Sequence, residues 1–228
     1  MTTRIAMLLF DGFTQLDLTG PYEVLARMSG AEIALVAKSL DPVASDTKLK
    51  IVPTHTFADA PPRDLLFVPG GPGVNQAMLD EATIEFVRRP AHYVTSVCTG
   101  ALILGAAGLL QGHRATTHWN SVEFLAPFRA RHVDERVVVD GDRIVTGAGV
   151  SSGIDFALTL VATLRSEEEA KAIQLAIEYD PQPPFQAGSR KKAGERIADG
   201  VCRAAKPMIA ERAKAVETAA SRLPKPLP

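Results

Sequence analysis

Cysteine is scarce in this 228-residue chain: Cys98 and Cys202 stand far apart in unlike surroundings. That argues against a disulfide framework and leaves room for a free reactive thiol. An excess of charge of either sign is lacking too. With 25 basic against 26 acidic residues the net charge is -1, without the excess of Lys and Arg that phosphate contacts require, so no nucleic acid is expected as a partner. Aromatic residues make up only 6%, too few and too scattered for a base-stacking platform. No apolar run approaches the roughly 20 residues needed to cross a bilayer. The opening MTTRIAMLLFDG has one Arg before an apolar run ending in Asp and no small-residue cleavage site, so neither a signal peptide nor a membrane partner is expected, and the cytoplasm is the expected location. His55, His92, His113, His118 and His132 show no ligand spacing, so no metal is expected.

Apolar material is plentiful, at 46%, enough to build a core without staples. In the first half it falls into continuous short runs, residues 5–10, 33–37, 65–68 and 93–97, the pattern of strands covered on both faces. Helical stretches alternate with them: 21–28, with Thr19 or Gly20 as cap, and 81–89 after Asp80. Alternation of this kind predicts an α/β fold with a mostly parallel sheet and helices on both faces, with chemistry at the carboxyl ends of the strands. Further along, 135–139 and 143–146 are joined by Asp140-Gly141-Asp142 as a hairpin, a helix over 154–164 follows Ser151-Ser152, and another spans 167–179. Residues 180–196, rich in Pro, Gly and Lys or Arg, read as an irregular arm over a surface. The stretch 197–223 is Ala-rich and helical but should bend or split at Pro207, and the Pro-rich tail 224–228 reads as disordered.

The segment YVTSVCTGALILGAAGLL, residues 93–110, carries the clearest chemistry: a strand, Cys98, then an immediate helix. Ser96-x-Cys98-x-Gly100 has the small-x-nucleophile-x-Gly form of a nucleophile elbow, whose close backbones demand small flanking residues. A thiol at a helix N-terminus is expected to have a lowered pKa. The competing reading makes Cys98 a small hydrophobe that ends a buried strand; for Cys202, in an Ala-rich helix, a packing role is favoured. Asp17, between two leucines after the first strand, would hold its proton near neutral pH if buried beside a thiolate, or would merely cap a helix. Pro69-Gly70-Gly71-Pro72-Gly73 follows the third strand and can present backbone amides to an anion, although Pro-Gly-Gly is also ordinary turn chemistry. His118, in Thr116-Thr117-His118-Trp119, is a candidate base, with a structural role as the alternative.

These motifs together resemble the ThiJ/PfpI superfamily, which is class I glutamine amidotransferase-like, and within it the isocyanide hydratase branch. They are the Thr95-Ser96-Val97-Cys98-Thr99-Gly100 elbow, Pro69-Gly70-Gly71, the early run Gln15-Leu16-Asp17-Leu18-Thr19-Gly20-Pro21 and Thr116-Thr117-His118-Trp119. The likeness extends to Glu178-Tyr179-Asp180-Pro181 and covers the chain to about Gly188. It implies a flavodoxin-like sandwich over 1–188, with 189–228 a helical extension and tail of the same unit. It also implies a homodimer, no cofactor, and addition of water to a small isocyanide to give an N-substituted formamide. Cys98 would be the nucleophile forming a thioimidate, Asp17 the acid, and Thr99 a hydroxyl that holds either of them. Gly70, Gly71, Gly100 and His118 would bind substrate or developing charge. Protease-like relatives place His after the Cys, where Thr99 stands; deglycase- and glyoxalase-like relatives carry Glu where Asp17 stands; glutamine amidotransferases need His-x-Glu, approached here only by His132-x-Asp134. A glyoxalase or deglycase, and a ligand- or redox-sensing domain without turnover, remain the alternatives. A transcription activator of this kind would need about 100 residues of paired helix-turn-helix modules, against about 40 after Phe185.

Overall fold

Strands form where the apolar runs stand, and the helices between them are set by their caps. A computed structural model describes residues 2–223; the tail 224–228, expected to be disordered, lies outside the described residues. In chain order come β1 (Thr3–Leu8), α1 (Gln15–Leu25), β2 (Ala31–Ala37), β3 (Val43–Ala44), β4 (Lys50–Ile51), β5 (His55–Thr56), β6 (Leu65–Val68), α2 (Val74–Ala77), α3 (Glu81–Arg88), β7 (Tyr93–Val97) and α4 (Gly100–Ala106). The second half adds β8 (Arg114–Ala115), a 3-10 segment (Trp119–Phe128), β9 (Arg131–His132), β10 (Val137–Asp140), β11 (Ile144–Gly147), α5 (Ser152–Leu164), α6 (Glu167–Ala176), α7 (Arg190–Ala193) and α8 (Glu195–Ser221).

Seven strands make one sheet in the order β10-β11-β7-β6-β1-β2-β5, and all neighbours are parallel except the β10–β11 hairpin at the edge. The α/β fold expected from the alternating runs is the one observed. Each strand serves two cores, because alternate side chains point to opposite faces. Ile5, Met7, Leu65 and Phe67 pack under α1, α5 and α6, with Phe67 and Phe156 rings 5.7 Å apart. Ala6, Leu8, Leu66 and Val68 pack under α3, α4 and α8. Among the described residues no helix is long and apolar enough to cross a membrane.

Several expected boundaries move. β1 begins and ends two residues earlier than the 5–10 run. α1 starts six residues before the expected 21–28, so neither Thr19 nor Gly20 caps it; Thr14 is the N-cap, Asp17 lies in the first turn, and Pro21 lies inside. A proline at this seventh helical position forfeits one bond to the Asp17 carbonyl, a loss that the buried packing of Leu18, Val24 and Leu25 outweighs. α6 stops at Ala176 rather than at Tyr179. The 180–196 arm is irregular except for one turn, α7, capped by the Ser189 side chain on Lys192 N–H. Pro207 does not split the last helix: α8 is continuous from Glu195 to Ser221 and buries Ala215, Val216 and Ala219, with Leu223 just beyond, on the α4 side of the sheet.

Candidate active site

The topology brings three strand ends together. β1 pairs with β6 and β6 with β7, so the segments leaving them, which carry Asp17, Gly70 and Cys98, meet where the sheet reverses its winding. Cys98 is the elbow residue: its φ is +56, in the left-handed region that non-glycine residues seldom occupy, and its N–H donates to both Gly147 O (3.0 Å) and Ala148 O (2.8 Å). Thr117 Oγ1 donates to Cys98 O at 2.8 Å. The bend works only with glycine on two sides. A Cβ on Gly100 would stand 2.2 Å from Val68 O, and one on Gly70 would stand 2.5 Å from Thr99 N and 2.8 Å from both Cys98 Cβ and Asp17 Oδ2.

Asp17 is wholly buried. Its Oδ2 accepts from Gly70 N–H at 3.0 Å, while Oδ1 has no hydrogen-bond partner. Burial pushes the carboxyl up to about 7, opposed by interaction with the Cys98 thiol and by Gly70 N–H; the nearby Asp46 charge pushes it further up. The thiol does not behave as its position at a helix end predicted. Burial, followed by repulsion from Asp17, pushes Cys98 well above the ordinary thiol value, and the Thr99 N–H and hydroxyl oppose this without reversing it. Desolvation outweighs the helix end because only 4% of Cys98 is exposed. Asp17 and Cys98 are therefore a coupled pair, and the first proton they lose belongs to both.

The glycine loop is also tied down. Thr99 Oγ1 accepts from Gly71 N–H (3.0 Å) and reaches Gly71 O (3.2 Å), so the amides of Gly70 and Gly71, expected to meet an anion, instead bond to Asp17 and Thr99. Gly100 acts by being small. His118 is not in this cluster: its Nδ1 lies 2.6 Å from Asn120 Oδ1, its ring packs on Gly149, and burial lowers its pKa. It lines a cleft of about 1070 Å³ with Leu16, Thr117, Trp119, Ala148 and Val150. Since Thr117 and Ala148 also hold the Cys98 backbone, the cleft abuts the elbow. Among the described residues no group of three or more His, Cys, Asp or Glu side chains is arranged to hold a metal.

One neighbour escaped sequence reasoning. Arg212 of α8, only 2% exposed, reaches Asn75 Oδ1 (3.0 Å), Ser121 Oγ (2.8 Å) and Gly71 O (3.3 Å). Its signal was available: Arg212, Ala215, Val216 and Ala219 share one helical face, so a cation stands on an otherwise apolar stripe.

Residues 3–163 match the DJ-1/PfpI family. The chain belongs to the DJ-1/PfpI family. Across the family, it is 48% identical over 226 residues to an isonitrile hydratase of Pseudomonas putida, covering 98% of this chain and 99% of that one. A crystal structure of a ThiJ/PfpI family protein from Pseudomonas syringae superposes with a TM-score of 0.92 at 44% identity, covering 95% of this chain and 91% of that one. A glutathione-independent glyoxalase of Caenorhabditis elegans is 26% identical over 156 residues, covering 66% of this chain and 82% of that one. The flavodoxin-like sandwich read from the motifs is the DJ-1/PfpI architecture.

Proposed function

We propose that this protein hydrates isocyanides to N-substituted formamides, with Cys98 as nucleophile and Asp17 as the group that gives and takes the proton. The observation that carries the chemistry is the Asp17–Cys98 pair: a buried carboxyl with a pKa near 7 and an unpartnered oxygen, set beside a sulfur at a strained elbow. The substrate class follows from the full-length likeness to an isonitrile hydratase.

Once the pair has lost one proton, the form with the charge on sulfur and the proton on Asp17 is the reactive one. The sulfur forms a bond to the terminal isocyanide carbon as Asp17 delivers its proton to that same carbon, giving a thioimidate. The Asp17 carboxylate then takes a proton from water as the water oxygen adds to the carbon, and passes that proton to the nitrogen. On collapse the remaining hydroxyl proton goes to Asp17, the carbon–sulfur bond breaks, and the thiolate and R–NH–CHO are released. Thr99 supports the sulfur through its N–H and hydroxyl. The R group would extend into the cleft between Leu16, Trp119 and Val150, which suits an apolar substituent. We place residues 189–223 in the same folded unit and take the working form to be a homodimer.

Formamide formation from an aromatic isocyanide, followed by NMR, tests the reading. The parent should turn over steadily and Cys98→Ala should lose at least about a thousandfold in kcat/KM, the scale seen when a nucleophile is removed. Normal rates for Cys98→Ala would overturn the mechanism. Lactate from methylglyoxal with no formamide would point to a glyoxalase, and oxidation of one thiol without turnover to a sensor.

A further inference from the structure

A buried guanidinium carries a full charge, and such charges are ordinarily matched by a carboxylate. Arg212 has none in ion-pair reach among the described residues: its three hydrogen-bond partners are an amide oxygen, a hydroxyl and a backbone carbonyl. The carbonyl belongs to Gly71, whose N–H and O both meet Thr99 Oγ1, and Gly70 beside it binds Asp17. Arg212 therefore faces the Asp17–Cys98 pair across a single glycine loop. The cation and the Cys98 thiolate attract one another, which partly offsets the burial that lowers the Arg212 pKa.

We propose that Arg212 is a positioning residue that acts through the Gly70–Gly71 loop as the counter-charge for the single negative charge shared by Asp17 and Cys98. Three consequences follow from the geometry. The pair loses its first proton at lower pH than it would without the cation. Arg212 also pins the Gly71 carbonyl, and with it the Thr99 hydroxyl that supports the sulfur. Finally, the charge comes from α8, beyond the 3–163 stretch that matches the family, so this helix completes the site rather than merely covering the core. Among the other ionisable groups, Asp46 opposes the shared charge from the β3–β4 turn, and His118, outside the cluster but near Arg212, has a pKa that burial and Arg212 both lower, so it adds no cation of its own near neutral pH.

The inference rests on the reading of Cys98 as a nucleophile, yet its test needs no isocyanide. Alkylation of Cys98 by iodoacetamide is followed against pH, with the Cys98 and Cys202 peptides resolved by mass spectrometry. The parent should show a first rise in labelling with its midpoint near 7, where the pair loses its first proton, and a second rise well above the ordinary thiol range, where the sulfur ionises outright. Arg212→Met fills the volume without burying a charge, so it should fold. It should raise the midpoint of the first rise by roughly one pH unit and slow labelling at pH 7 about fivefold. Arg212→Lys, which keeps the charge but loses the fork, should restore most of the rate. An unchanged midpoint in folded Arg212→Met would overturn the proposal, as would an Arg212→Lys midpoint displaced as far as that of the neutral variant. Should Arg212→Met fail to fold, Arg212→Lys alone decides: a near-parental midpoint supports the counter-charge and a displaced one overturns it. A parent that makes no formamide but whose Cys98 midpoint responds to Arg212→Met would sink the hydratase reading and leave Arg212 its role.

Discussion

At the scale of single residues, Asp17 ties function to stability through its proton. Its carboxyl, ordinarily near 3.8, is pushed up to about 7 when folded, chiefly by burial. The folded state thus keeps a proton that the unfolded chain releases, so its contribution to stability is full below 3.8 and is lost as pH rises through about 7. The loss amounts to about 4 kcal/mol. Asn at this position keeps an acceptor for Gly70 N–H and carries no charge. Asp17→Asn should therefore unfold at a higher temperature than the parent at pH 8, the gap shrinking steadily as pH falls to 5, as read by circular dichroism; a gap that does not change with pH would show that Asp17 is ionised at little cost. Activity should run the other way. The reactive pair carries one negative charge, so kcat/KM should rise as pH increases through about 7 and stay level until the second proton leaves, well above the ordinary thiol range. A rate that falls above pH 7 would mean that both groups must be protonated.

At the scale of elements, the elbow depends on how closely β7, α4 and the end of β6 approach. Gly100→Ala places a methyl group 2.2 Å from Val68 O, a backbone atom that cannot step aside without moving a central strand. The variant should lose about 2 to 4 kcal/mol, seen as a lower urea midpoint, together with activity; parental stability would mean that the strand end gives way easily. This part of the site was legible beforehand, because Ser96-x-Cys98-x-Gly100 at a strand end is a local steric pattern, and β6 and β7 were placed at their true limits, β6 by an apolar run between Asp64 and Pro69 and β7 by the stretch YVTSV that ends at Cys98. The hairpin was legible for the same reason: Gly141 has a φ of +63, as the turn demands. What was missed depends on contacts between distant segments. α1 begins at Gln15 because its apolar face, Leu18, Val24 and Leu25, packs on the sheet, which outweighs the stop expected at Pro21. The direction of the Cys98 shift could not be read either, since a helix end is local and burial is not.

At the scale of the whole molecule, the sheet has two covered faces, and the second needs the end of the chain. Ala215, Val216, Ala219 and Leu223 bury themselves beside Leu102, Leu110, Phe124 and Phe128, side chains that would otherwise face water. Burying a residue such as Val or Leu is worth about 1.5 to 3 kcal/mol, so the helix contributes several kcal/mol directly, and the aromatic surface it covers adds more. A domain's net stability is only about 5 to 15 kcal/mol. A chain ending at residue 188 is therefore expected to lose cooperative unfolding and to bind a hydrophobic dye at 25 °C, although it retains every residue of the strand-end cluster except Arg212. The same imbalance predicts that Val216→Asp, which puts an unpaired charge into that face, resembles the truncation more closely than it resembles Arg212→Met, which leaves the apolar seal intact. If the 1–188 chain instead melts sharply near the parent's temperature and leaves the dye dark, the extension is a separate appendage, and residues 2–188 hold a complete core by themselves.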